Sequence, residues 1–301
     1  MTAQIINGKD AAEKIRQELK QKITDLTSDM PPVLAVIQVG DNEASKIYVR
    51  NKRQAAAEIG MGCEVVEFSD TIGENALLES INELNDNPHI NGIIVQLPLP
   101  QHINPLHILS RIAPEKDVDG FSPYNIGLLS YNNPQAFISA TAKGVLHLLQ
   151  NLHIDLAGKH AVIIGRSNIV GKPMAALLLS QDCTVTVAHS HTVDLPSLTK
   201  QADILVVACG CPKLVKADWV KEGAVVIDVG INRVDGKLCG DVDFDTVKEK
   251  ASFITPVPKG VGPMTVAMLL ENTYQAFIRQ SKEESSASCT CGHHHHHCHC
   301  H

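Results

Sequence analysis

Apolar residues recur along this chain with two distinct spacings. Ile15, Leu19, Ile23 and Leu26 stand three or four apart, which places them on one face of an amphipathic helix. Residues 33–40, VLAVIQVG, are instead a continuous apolar run closed by glycine, the pattern of a strand buried on both faces. The polar turn Asp41-Asn42-Glu43 then leads into a predicted helix over about 44–59. A strand at 63–68, a helix over about 74–85 and a strand at 92–96 follow. Residues 98–137 are rich in Pro, Asn and Gly and predict loops with short helices. Regular alternation resumes with apolar runs at 160–165, 183–188, 203–208 and 224–230, the first three separated by helices near 170–179 and 195–201. Residues 263–278 predict a last helix.

Repeated strand–helix alternation predicts an α/β protein with parallel sheets. The expected organisation is an N-terminal α/β domain over 1–140 and a C-terminal Rossmann-like parallel-sheet domain over 141–262. The helix at 263–280 is expected to pack back on the first domain, leaving 281–301 as a flexible Cys/His-rich tail. A length of 301 residues gives room for both cores.

Composition narrows the function. A formal net charge of -7 disfavours attraction to nucleic acid, and 4% aromatic content removes the stacking platforms of single-strand binders. No apolar run approaches the roughly 20 residues that span a bilayer. The opening MTAQIINGKDAAEKIRQ has no apolar signal core, so the expected address is the cytoplasm, with reduced thiols.

The candidate chemistry begins after the run at 160–165, where the chain reads Gly165-Arg166-Ser167-Asn168-Ile169-Val170-Gly171-Lys172-Pro173. A strand, a tight turn and a helix N-terminus present backbone N–H groups and a positive dipole end to a pyrophosphate. Ser167 stands where the middle glycine of a dinucleotide fingerprint would be, and a plain βα turn is the competing explanation. NAD sites carry a carboxylate about 20 residues on; here the next strand ends Ala188-His189-Ser190-His191. Ser190 can hydrogen-bond a 2′-phosphate and Arg166 offers a permanently charged fork, so NADP is favoured over NAD.

In the first domain Tyr48 and Lys52 lie four apart on one helix face, beyond the carboxyl end of a buried strand. By themselves they read as a half-buried tyrosine and a solvated lysine. A lysine acting as a base must be desolvated or set among cations, and Lys46, Arg50 and Arg53 crowd the same segment.

Six segments change that reading by occurring together and in order: 44–55 (ASKIYVRNKRQA), 92–100 (GIIVQLPLP), 116–121 (KDVDGF), 165–173 (GRSNIVGKP), 225–232 (VVIDVGIN) and 254–269 (ITPVPKGVGPMTVAML). Together they closely resemble the bifunctional methylenetetrahydrofolate dehydrogenase/methenyltetrahydrofolate cyclohydrolase family, from about Ile5 to Arg279. The resemblance implies a homodimer with a folate cleft between its two domains, the first catalytic and folate-binding, the second NADP-binding. Lys52 would be the central catalytic residue, Gln96 would hold its reactive form, Tyr48 would stack on the folate, and Asp119 would bind the amino-pyrimidine edge of the pterin. Gly262 and Pro263 would wall the substrate side. Gly165, Arg166 and Ser167 would hold the cofactor phosphates and Ser190 the 2′-phosphate, with Ile231 at the nicotinamide end and Thr141 also on the cofactor side. The implied chemistry is hydride transfer from 5,10-methylenetetrahydrofolate to NADP, then hydrolysis of the methenyl product to 10-formyltetrahydrofolate.

Two features depart from that pattern. Where the family reads Pro-Cys-Thr-Pro, this chain has Ser139-Ala140-Thr141-Ala142, which predicts a more mobile hinge. The end of the chain interleaves Cys289, Cys291, Cys298, His299 and Cys300 with a run of histidines, a donor set suited to Zn, Ni or Cu(I), though an expression-tag remnant has a similar look. No metal is expected in the active site, and Cys209-Gly210-Cys211 reads as small residues lining a cofactor cleft. A dehydrogenase lacking the hydrolytic step and a metal-storage protein on an enzyme-like scaffold are the alternatives; Lys52 with Gln96 argues against the first.

Overall fold

The computed structural model describes residues 2–290, the last three by backbone alone. The chain begins with β1 (Gln4–Ile5) and α1 (Gly8–Thr24), which Asn7 caps by accepting the Asp10 N–H at 3.0 Å. Next come β2 (Val33–Val39), α2 (Glu43–Glu58), β3 (Gly62–Phe68), α3 (Glu74–Asp86) and β4 (Gly92–Val95). The stretch expected to be irregular holds α4 (Pro105–Arg111) and α5 (Pro123–Ser130). It is followed by α6 (Ala140–Gln150), β5 (His160–Ile164), α7 (Gly171–Ser180), β6 (Thr184–Ala188), α8 (Leu195–Thr199), β7 (Ile204–Val207) and β8 (Val225–Asp228). A hairpin, β9 (Asn232–Val234) and β10 (Lys237–Cys239), leads to α9 (Phe244–Val247), β11 (Phe253–Ile254) and the long α10 (Val261–Thr290).

The described residues divide into two compact units, residues 26–118 with 272–290 and residues 2–25 with 119–271. The first unit is built on a three-stranded parallel sheet of order β3-β2-β4. Every residue of central β2 is buried, as its unbroken apolar run requires. Val33, Ala35, Ile37 and Val39 on one face pack with Leu77 and Ile81 of α3 and Ile108 of α4. The other face carries α2. The last helix belongs here from Asn272 onward: Asn272 donates to the Val118 carbonyl at 2.9 Å, and Gln280 to that of Asn91 at 2.9 Å.

The second unit is built on a six-stranded, all-parallel sheet of order β1-β11-β8-β7-β5-β6. Strand order reverses at β5, since β6 lies on one side of it and β7 on the other. Parallel α/β sheets open a crevice outside the carboxyl ends of their strands at such a point. Val162, Ile164, Leu205, Val207, Val226 and Ile254 line up across four strands in one core cluster.

Candidate functional site

In the first unit Asn42 opens α2 by accepting the Ser45 N–H at 3.0 Å, after a turn in which Gly40 adopts φ +84°. The cap fixes the rotation of the helix. Ser45, Val49 and Ala56 turn inward, while Tyr48 remains 50% exposed and Lys52 is half-buried on its flank. Gln96 directly follows β4, and its N–H donates to the Ile37 carbonyl at 2.9 Å, extending the ladder by one residue. That extra rung aims the side chain at α2, where Lys52 Nζ donates to Gln96 Oε1 at 2.7 Å. Two residues 44 apart in sequence are thereby joined in a partly buried setting.

The segment 116–121 contains two kinds of residue. Lys116 is buried and donates to the carbonyls of Asn87 at 2.8 Å and Leu84 at 3.3 Å, closing the end of α3; burial holds its pKa below the ordinary lysine value. Asp119 is half-buried beside Gly120, which has φ +70° and lies so close to the Phe137 carbonyl that a Cβ would stand 2.4 Å from it.

In the second unit the loop after β5 closes on itself. Gly165 has φ +122°, and a Cβ there would stand 2.2 Å from the Ala208 carbonyl oxygen at the end of β7. A Cβ on Gly171 would stand 2.2 Å from the carbonyl oxygen of Gly165. Both positions therefore require glycine, and they sit at the reversal point of the sheet. Ser167 Oγ accepts the Val170 N–H at 3.0 Å, ordering the turn that begins α7, while Arg166 and Ser167 remain exposed.

The end of β6 faces this loop. His189 donates its N–H to Thr192 Oγ1 at 2.8 Å, and its Nδ1 accepts the His191 N–H at 3.2 Å, which places the ring proton on Nε2. Desolvation, then the positive fields of Arg166 and His191, hold the His189 pKa below its usual value. Arg166 and the strand end thus share one electrostatic environment, with Ser190 exposed between two histidines and no carboxylate in the turn. These residues, with the glycine cradle, fit a dinucleotide carrying a 2′-phosphate.

Ile231 is 56% exposed and covers the backbone of Gly262, where a Cβ would stand 3.7 Å from its Cδ1; Gly262 and Pro263 lie in the first turn of α10. Thr141 lies in the first turn of α6 and meets Thr265 Oγ1 at 3.3 Å. The substituted segment 139–142 is not a loop: Ser139 immediately precedes α6, and Lys143 pairs with Glu271 at 2.7 Å.

Two buried aspartates were not anticipated from the sequence. Asp241 accepts the N–H groups of Cys209 and Gly210, both at 2.9 Å, and the Asn232 amide at 2.8 Å. Asp228 accepts the N–H groups of Gly230, Asp241 and Val242, tying the hairpin to the end of β8. Burial pushes the Asp228 carboxyl up to about 7 against those three donors. Burial, then Asp241, pushes the Cys209 thiol up to about 12, so it remains protonated. Among the described residues no group of three or more His, Cys, Asp or Glu side chains is arranged to hold a metal, and no helix is long and apolar enough to cross a membrane. The tail positions Cys291, Cys298, His299 and Cys300 lie outside the described residues, as does the Cys289 side chain.

Comparison with known proteins bears on both units. Residues 6–119 match the family model of the tetrahydrofolate dehydrogenase/cyclohydrolase catalytic domain, and residues 139–281 that of its NAD(P)-binding domain. The bifunctional protein FolD of Anoxybacillus flavithermus is 54% identical over 284 residues, covering 94% of this chain and all of that protein. Among solved structures, the bifunctional enzyme FolD from Campylobacter jejuni is 50% identical with a TM-score of 0.91, over 92% of this chain and 99% of that one. The Trypanosoma brucei methylenetetrahydrofolate dehydrogenase-cyclohydrolase, solved with NADP cofactor and inhibitor, is 40% identical with a TM-score of 0.89, over 94% and 99%.

Proposed function

The chain belongs to the tetrahydrofolate dehydrogenase/cyclohydrolase family, and from that premise we propose how its residues divide the work. It is a bifunctional enzyme that oxidises 5,10-methylenetetrahydrofolate with NADP and hydrolyses the methenyl product to 10-formyltetrahydrofolate. NADP+ supplies the hydride acceptor for the first step. The chain's contribution to that step is placement: Gly165, Arg166 and Ser167 take the phosphates, Ser190 the 2′-phosphate, and Ile231 and Thr141 bound the nicotinamide side.

The second step is assigned to the first unit, and the 2.7 Å bond between Lys52 Nζ and Gln96 Oε1 carries that assignment. Water attacks the methenyl carbon, Lys52 takes up the proton the water releases, and the proton passes to the nitrogen that leaves as the ring opens. Gln96 holds Nζ in place through that exchange. Tyr48 stacks on the folate, and Asp119 accepts paired N–H donors from the pterin edge. Gly262 and Pro263 form a wall of the substrate site. The working form is a cytoplasmic homodimer, its ligands are folates rather than nucleic acid or membrane, and the tail chelates Zn, Ni or Cu in vitro.

The test is spectrophotometric. Methylenetetrahydrofolate is supplied with NADP+ or NAD+, and reduced nicotinamide is followed together with the methenyl chromophore. NADP+ should be reduced in preference, with little methenyl compound accumulating. Absence of reduction with both nucleotides would defeat the dehydrogenase assignment, and accumulating methenyl compound would defeat the hydrolytic one.

A further inference from the structure

Ser139 occupies the N-cap position of α6 and is only 1% exposed, yet it makes no capping hydrogen bond. A serine at that position normally accepts a backbone N–H of its own helix. Here its Oγ donates instead to the carbonyl of Ile169, 30 residues away in the glycine loop, at 2.6 Å. Ile169 C=O and Val170 N–H belong to one trans peptide and point in opposite directions. The N–H end of that peptide donates to Ser167 Oγ at 3.0 Å. One peptide unit is therefore clamped between two serine hydroxyls.

The clamp determines what Ser167 can offer a ligand. A hydroxyl has one donor proton and two acceptor lone pairs. Ser167 Oγ accepts the Val170 N–H at 3.0 Å and the Gly171 N–H at the 3.5 Å limit. With both lone pairs directed into the turn, its proton points away from them, and the side chain is exposed. Hydrogen bonds in series also polarise one another, so the Ser139 bond strengthens the donor character of Val170 N–H.

We propose that Ser139 is a positioning residue for the cofactor loop: it holds the peptide between Ile169 and Val170 so that Ser167 presents its hydroxyl proton to an anionic oxygen of the dinucleotide. This rests on the reading that residues 165–173 hold NADP. Without the Ser139 hydroxyl the peptide can rotate, and Ser167 regains a lone pair that would face the phosphate.

The test is a double-mutant cycle on NADP+ affinity, measured by calorimetric titration of the full chain. Loss of one such hydrogen bond corresponds to roughly 3- to 10-fold in Kd, the weakening expected for Ser139→Ala. Ser139→Thr keeps the hydroxyl and should restore the affinity. In a Ser167→Ala background, Ser139→Ala should add less than about twofold, because its effect passes through Ser167. An unchanged Kd in the single variant, or an additive cycle, overturns the proposal. Amide exchange in the free protein supplies a readout that needs no cofactor: Ser139→Ala should accelerate exchange at Val170 and Gly171, and unaltered exchange overturns the clamp. A wild-type chain that fails to bind NADP+, while Ser139→Ala still accelerates that exchange, rejects the cofactor reading and upholds the clamp.

Discussion

The hydrogen-bonded pair Lys52 and Gln96 is where the proposed hydrolytic step is put to the test, and the expected consequence of removing the amine is direct. Lys52→Met keeps a chain of similar length but neither gives nor takes a proton. Cyclohydrolase turnover should fall by about 10²-fold or more, the range general acid–base groups contribute, while nicotinamide reduction declines less. Methenyl absorbance building up behind a persisting first step is the readout, and near-normal hydrolysis would remove Lys52 from its role. A second residue-scale prediction concerns Asp228, whose folded pKa of about 7 lies above the unfolded carboxylate value. Between the two values the folded state binds more protons than the unfolded one, so stability declines as pH rises from about 4 to about 7. Asp228→Asn should be less stable throughout, because the three N–H donors are shared between both carboxyl oxygens and an amide nitrogen cannot accept in place of the second, but its denaturation midpoint should lack that slope. An equal slope in the variant would refute the titration. At this scale the sequence showed Tyr48 and Lys52 as one helix face, whereas Gln96 and Asp119 needed the family resemblance, because nothing local distinguishes a strand-end amide or a turn aspartate. Asp228 and Asp241 leave no local signal because, the Asn232 amide apart, the N–H groups they accept belong to the backbone, which almost any residue type provides.

Elements were legible where a pattern was long enough to repeat. β2 and β5 to β8 are apolar runs of four to seven residues and stand where those runs predict them, within a residue or two at the ends. β1 and β11 have two residues each and cannot display a period. The β9–β10 hairpin did leave a signal: Asp235-Gly236, with φ +52° and +76°, is a turn pair that suits tight hairpins, set between strands too polar to be recognised. Helix α6 stands where the sequence predicts a hinge, from Ser139 to Ala142, although Val145, Leu148 and Leu149 have helical spacing and are all buried. The β5–α7 connection yields the prediction for this scale. Gly171→Ala sets a methyl against the Gly165 carbonyl, backbone against backbone, so the loop has to open. Overpacking of this kind costs about 1–3 kcal/mol, which should appear as roughly a 10- to 100-fold rise in Kd for NADP+. Calorimetric titration returning wild-type affinity would mean the loop is not the phosphate cradle.

At the scale of the molecule, both sheets and their chemistry lie within residues 2–290. A chain truncated after Ser288 should keep folate turnover within about twofold and lose most of its metal binding, since every residue assigned to either step, from Tyr48 to Pro263, precedes the cut. Loss of turnover in that variant would give the tail a part in the enzyme. The two-sheet division was foreseeable from the sequence; the way the chain threads it was not, because long-range pairings leave no local trace. β1 pairs with β11 across some 250 residues, Gln4 with Phe253 and Ile5 with Ile254. Gln280 closes onto Asn91 from the other end of the chain. Each unit therefore includes a segment from late in synthesis. On the ribosome, the first strand must wait until residue 254 has emerged before it has a neighbour, and β2 to β4 wait for residue 280 before their helix arrives. Contacts this distant are formed last and slowly. A nascent chain cut short before that point would keep one sheet edge and one helix-facing surface open, which is the state chaperones and proteases recognise.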